Sequence, residues 1–117
     1  MIYTEVDFKC DNIARISSEL IAKLETMYFN MGCKKLVITS GWRSNEKNIQ
    51  IGGHNDSPHL YGKAVDISCS TSNERAEILE AAIPLGFCGI GIYDRHIHLD
   101  VKPRMDGKRR VWIGTSK

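Results

Sequence analysis

Apolar residues at Ile13, Ile16, Leu20, Leu24, Met27, Tyr28 and Met31 recur at the spacing of one helical face, and this stripe constrains the fold more than any other feature of the chain. A helix with one apolar face must bury it against a second layer. Asp11 or Asn12 is placed to cap its start, and Gly32 offers the left-handed residue that commonly ends a helix. The second layer comes from short β-like runs. Residues 35–39 (KLVIT) are rich in β-branched side chains and lead into a polar loop at 40–48. Residues 63–70 (KAVDISCS) alternate, with Val65, Ile67 and Cys69 on one side and Ala64, Asp66 and Ser68 on the other, so Asp66 faces away from the most apolar side. Residues 89–93, 96–101 and 109–113 read as further strands, the last as an edge strand. Residues 44–50 predict one or two helical turns before Gly52-Gly53, and Thr71-Ser72-Asn73-Glu74 has the form of a capping box. That box opens a second core helix, with Ala76, Leu79, Ala82 and Ile83 on its inner face, ended by Pro84 and Gly86. The order predicts an α+β fold: a small, largely antiparallel sheet with helices packed on one face.

At 117 residues the chain is expected to be a single domain, residues 1–117, able to bury about two-thirds of its unfolded surface. A (β/α)₈ barrel needs roughly 200 residues or more, so the His-x-His at 96 and 98 is not the strand-end motif of a barrel hydrolase. A formal net charge of +2 demands no polyanionic partner. No run approaches the ~18 apolar residues of a membrane span, and the first ten residues carry Glu5 and Asp7 where a leader would be basic and then apolar. The expectation is a chain without a membrane span or signal peptide, cytoplasmic as made. Cys10, Cys33, Cys69 and Cys88 form no C-x-x-C pair and are expected to be reduced, mostly buried thiols.

Chemistry concentrates around the histidines at 54, 59, 96 and 98, most of which lie among Gly, Ser, Asp and Tyr and not on apolar helix faces. A tight turn at residues 60–62 followed by a strand returns Asp66 past His59, so the two side chains can meet. On a strand, His96 and His98 share a face with Asp94 and Asp100. Two imidazoles and a carboxylate are a normal ligand set for catalytic zinc, and imidazole does not suit magnesium or calcium. Spacing alone leaves open the plainer reading, in which each histidine is hydrogen-bonded or solvated; for His54 that is the expectation.

The run Ser57-Pro58-His59-Leu60-Tyr61-Gly62-Lys63-Ala64-Val65-Asp66 resembles the Ser-x-His-x-x-Gly-x-Ala-x-Asp signature of the M15 zinc D-Ala-D-Ala peptidases, which share the hedgehog/DD-peptidase fold. The stretch from Gly89 through His98-Leu99-Asp100-Val101 is similar to the second signature of that family, and Ser40-Gly41-Trp42-Arg43-Ser44 to its Ser-Gly-aromatic-Arg-Ser loop, all in the same order. The resemblance implies that His59, Asp66 and His98 bind zinc, that Arg43 engages the substrate near its scissile bond or terminal carboxylate, and that Ser57 supports the site by hydrogen bonding. It further implies that His96 helps stabilise the tetrahedral intermediate. Arg43 suits its task because a guanidinium is planar and permanently charged. One departure stands out: where the family places an Asp or Glu, three residues before the last ligand, this chain has Arg95. Asp94 is the candidate general base in its place, since strand alternation would keep it on the side of His98.

The expected activity is zinc-dependent hydrolysis of a peptide bond in a peptidoglycan-type, D-amino-acid-containing peptide, as a D,D-carboxypeptidase or cell-wall endopeptidase. Such a domain would act at the cell wall once released, as in phage or prophage lysis, or would belong to a bacterial enzyme targeted by other means. The competing reading is a non-catalytic zinc-bearing binding module of the same fold, favoured by Arg95. A nucleic-acid patch at residues 102–110 (KPRMDGKRR) is not expected, because Asp106 interrupts the run. The sequence does not fix the oligomeric state; a monomer is the expectation.

Overall fold

The computed structural model describes residues 2–54 and 56–115. Five strands form one sheet in the order β1-β2-β4-β3-β5: β1 (Ile38–Ser40), β2 (Ala64–Ser68), β3 (Gly89–Ile92), β4 (His96–Asp100) and β5 (Arg110–Ile113). All pairings are antiparallel except that of β3 with β5. Four helices accompany the sheet: α1 (Glu5–Phe8), α2 (Ser18–Asn30), α3 (Asn45–Gln50) and α4 (Ser72–Ala82). The expected α+β architecture is the one observed.

Alternation divides the sheet into two unlike faces. Val65, Ile67, Ile90, Ile97 and Leu99 point into a buried cluster with Leu20, Leu24 and Met27 of α2 and Ile78 and Ala82 of α4. The intervening positions are polar, small or without a side chain: Ala64, Asp66 and Ser68 on β2, His96, His98 and Asp100 on β4, Gly89 and Gly91 on β3. Register then aligns them, because Asp66 pairs with His98 and His98 with Gly91. One face is the core and the other carries the chemistry.

The first helix departs from its expected start. Residues Ile13–Arg15 form a separate 3₁₀ turn, with the Asn12 side chain accepting from Ala14 N, and the chain is extended at Ile16 before α2 begins. Two hydrogen bonds account for the break: the Ser17 side chain caps α2 by accepting from Leu20 N, and Ser17 N donates to Gly62 O at 2.8 Å. The interruption ties the helix to the turn that carries His59. The second helix starts as expected, with Thr71 accepting from Glu74 N at 3.1 Å. α1 had no signal in the periodicity. The observed strands are one to three residues shorter or shifted against the expected runs, and all four cysteines are free thiols, Cys69 buried but Cys33 exposed.

Candidate metal centre

His59 sits in a 3₁₀ turn, Pro58–Tyr61, laid across the polar face of the sheet. The local sequence builds that turn: Ser57 Oγ accepts from His59 N at 3.3 Å, Pro58 presets the first helical position, and Gly62 closes it in the left-handed conformation at φ 66°. The turn directs His59 Nε2 to within 3.3 Å of Asp66 Oδ1, and β4 directs His98 Nδ1 to within 3.3 Å of the same oxygen. One donor atom from each residue lies within 4.8 Å of the other two. His59 is 2% exposed and His98 7%.

The outward nitrogens of the two imidazoles decide what the inward ones can be. His59 Nδ1 lies 2.7 Å from Gly41 O, and a carbonyl only accepts, so the proton is on Nδ1 and neutral His59 presents a lone pair at Nε2. His98 Nε2 donates to Asp100 Oδ2 at 2.7 Å, leaving the Nδ1 lone pair facing Asp66. Two lone pairs and a carboxylate therefore converge on one point, an arrangement that repels itself unless extra protons or a cation fill it. The donor set, two nitrogens and an oxygen with both rings anchored from behind, fits a zinc-type site.

The anchor behind His98 is itself braced. Asp100 is fully buried and accepts from Arg104 Nη1 at 2.8 Å, Arg104 Nη2 at 3.0 Å and Lys102 N at 3.2 Å. Burial opposes ionisation of Asp100, but the hydrogen bonds from His98 and Arg104 outweigh it and hold the carboxyl below its ordinary range. Asp66 behaves likewise: burial opposes its charge, but where extra protons occupy the site, hydrogen bonds from the His59 and His98 rings carry its pKa well below the usual value. Burial would lower the pKa of His98; its bonds to Asp100 and Asp66 prevail and raise it.

Arg43, on the loop after β1, reaches the same point. Its Nη2 is 3.6 Å from Asp66 Oδ2, Nη1 donates to Asn48 Oδ1 at 3.0 Å, and Nε donates to Ser40 Oγ at 3.4 Å. Asn48 is buried and its Nδ2 donates to His54 O at 2.8 Å. A pocket of about 480 Å³ opens over the group, and Arg43, Ser57, His59, Asp66, His96 and His98 are all on its walls. His54 also lines it, outside the three-residue group; its Nδ1 accepts from Asp56 N at 3.2 Å.

The profile of the family described as Peptidase M15 matches residues 3–100. The chain belongs to the peptidase M15 family. It is also similar to the zinc D-Ala-D-Ala carboxypeptidase of Streptomyces albus G, 35% identical over an alignment of 97 residues that covers 80% of this chain and 36% of that protein. The chain thus spans about a third of the length of that relative.

Within this M15 chain the two candidates for proton transfer fall in different places. His96 opens β4 and lines the pocket, its Nε2 4.0 Å from Asp66 Oδ1. Asp94 lies in the turn between β3 and β4, exposed, with its carbonyl accepting from Arg75 Nη2 at 2.8 Å, and it is not among the described residues that line the pocket. The alternation expected to align Asp94 with His98 begins only at His96, because Asp94 and Arg95 are the bend of the hairpin. Sequence reasoning missed Asn48, Tyr93, Arg104 and Trp112. Arg104 lies in the basic run 102–110, where no local pattern marks its pairing with the buried Asp100; Trp112 lies on a strand that the sequence predicts, but nothing in one sequence reports which strand β5 would join.

Proposed function

We propose that this chain is a zinc metallopeptidase that hydrolyses a peptide bond in D-amino-acid-containing peptidoglycan peptides, as a D,D-carboxypeptidase or cell-wall endopeptidase. The observation that carries the reading is the convergence of His59, Asp66 and His98, with both imidazoles held by a partner behind the ring, at the floor of a pocket walled by Arg43 and His96. The family and the name of the Streptomyces relative support the choice of zinc and of this substrate class.

When bound there, zinc would supply Lewis acidity, lowering the pKa of a coordinated water toward neutrality and polarising the scissile carbonyl. The protein's own groups do the rest. His59, Asp66 and His98 would hold the ion, and the bonds to Gly41 O and Asp100 keep both rings in the ligating tautomer. Arg43, fixed by Asn48 and Ser40, offers its guanidinium to a substrate carboxylate or to negative charge developing on the carbonyl oxygen. Ser57 holds the turn that carries His59. His96, on the pocket wall, is the group placed to accept a proton at Nε2 and return it to the leaving amine. Asp94 is the alternative base, and the same experiment decides between them. Such a substrate would place the enzyme at the cell wall, whether released by lysis, as for a phage or prophage enzyme, or targeted there by other means as a bacterial one.

The test is digestion of purified peptidoglycan by the zinc-loaded chain, with metal content measured by elemental analysis. His59→Ala and His98→Ala are expected to lose most of the metal and the activity, and His54→Ala to keep the metal. With zinc retained, His96→Ala is expected to cost about 10²- to 10⁴-fold in kcat and Asp94→Asn only a few-fold; the opposite order would restore Asp94 as the base. Arg95, at the position of the family acid, favours a second reading as a zinc-bearing binding module, and that reading prevails if the parent chain holds zinc and cleaves nothing.

A further inference from the structure

One cross-strand row runs the width of the sheet, Ser40–Asp66–His98–Gly91–Trp112, each residue paired with the next. Gly91 stands in it between a metal-ligand candidate and an indole. A Cβ on Gly91 would sit 2.7 Å from Trp112 Cε2, so the Trp112 ring leans across the bare backbone of β3 until its centroid is 5.2 Å from that of His98, and it lines the pocket. A Cβ on Gly114 would overlap the Tyr93 ring in the same way. The two rings placed by these glycines are joined, Trp112 Nε1 donating to Tyr93 Oη at 2.9 Å. Tyr93 in turn stacks on His96, centroids 4.3 Å apart and planes within 11°. β5 therefore reaches His96 through a continuous chain of contacts, and it lies beyond the residues matched to the family.

We infer that Trp112 is a positioning residue, holding the His96 imidazole at the pocket wall through Tyr93. The physical case rests on specificity of contact. Two rings that only filled space would need no polar atoms, whereas here the indole N–H and the phenol oxygen meet at hydrogen-bonding distance and fix the plane on which His96 lies. A side chain that must hold its orientation for proton transfer needs such support, since a displacement of about 1 Å costs up to about 10²-fold in rate. The kinetic consequence rests on the role proposed above for His96; the structural consequence does not.

Two measurements on the full zinc-loaded chain separate these. In the first, histidine ring carbons are labelled and the His96 signal is identified by its loss in His96→Ala. Tyr93→Phe leaves a six-membered ring beside His96 and removes only the hydrogen-bond acceptor, so a moved His96 signal reports lost positioning and not a changed neighbour. Tyr93→Phe and Trp112→Phe are both expected to move it, with zinc content unchanged. In the second, each variant is expected to lower kcat on peptidoglycan peptide by roughly ten- to hundredfold with KM nearly constant, and the double variant to be no worse than either single. A His96 signal that stays in place in Tyr93→Phe overturns the inference, as do losses that multiply in the double variant. If His96→Ala cleaves as fast as the parent, the proton-transfer role falls, and the first measurement still decides whether Trp112 positions the ring.

Discussion

Asp100 shows how one residue sets the chemistry of another. Its carboxylate offers enough acceptor sites to take the His98 N–H and both Arg104 nitrogens. An amide has a single acceptor oxygen, so Asp100→Asn must turn an N–H toward either His98 or Arg104. The expected outcome is a metal affinity about 10- to 100-fold weaker, measured by competition with a chromophoric chelator, because His98 is no longer held with Nδ1 facing inward. Arg43 makes a different prediction. Arg43→Lys should keep fold and metal yet lower kcat/KM on a cell-wall peptide, since an ammonium cannot reach Asn48, Ser40 and a substrate with one planar fork. At this scale the sequence was informative wherever chemistry travels with spacing: His59, Asp66 and His98 stood in fixed motifs, and strand alternation put Asp100 on their face. It was silent on Asn48 and Arg104, whose importance comes from burial against partners that only folding supplies.

Among the elements, α1 is the instructive one. It is a single turn, too short to show a period, and its stability is local. Asp7 accepts from Thr4 N at 2.8 Å and pairs with Lys35 Nζ at 3.0 Å, tying the turn to the approach to β1. Burial opposes the charge of Asp7, but the bond from Thr4 and the pair with Lys35 prevail and hold its pKa below the ordinary value. A depressed folded-state pKa gives stability that is present above the unfolded value near ~3.9 and is lost as pH falls through the folded one. Asp7→Asn is therefore expected to destabilise the chain by about 0.5–2 kcal/mol at pH 7, and in denaturant titrations the gap to the parent should narrow as pH falls below the unfolded value of ~3.9 and close once the folded carboxyl is protonated. Helices and strands with a clear period were legible here; the break before α2 was not, because Ser17 answers to Gly62 in a distant turn.

Across the whole molecule, the two-faced sheet makes the metal a part of the fold's stability. The proposed ligands come from the Pro58–Tyr61 turn, β2 and β4, so an ion held by all three binds the native state and not the unfolded chain. At an ion concentration a hundred times the dissociation constant this adds about 2.7 kcal/mol. Chelation is expected to lower Tm by roughly 10 °C in calorimetry, with recovery on adding zinc and no such effect in His98→Ala. The α+β class was legible from the two periodicities, because polar and apolar residues separate cleanly on each strand. The parallel placement of β5 was not, since pairing beside β3 depends on a crossover that leaves no local mark.

The spacing of the ligands also bears on the order of events in folding. Asp66 and His98 are 32 residues apart, with α4 and β3 lying in the chain between them. His59 and Asp66, by contrast, are separated by one turn. An unfolded chain can bring that first pair to an ion at little entropic cost, whereas recruiting His98 means closing a long loop, whose cost grows only with the logarithm of its length. An ion present during refolding would thus find two donors early and a third late, acting first as a local clasp and then as a long-range staple between β2 and β4.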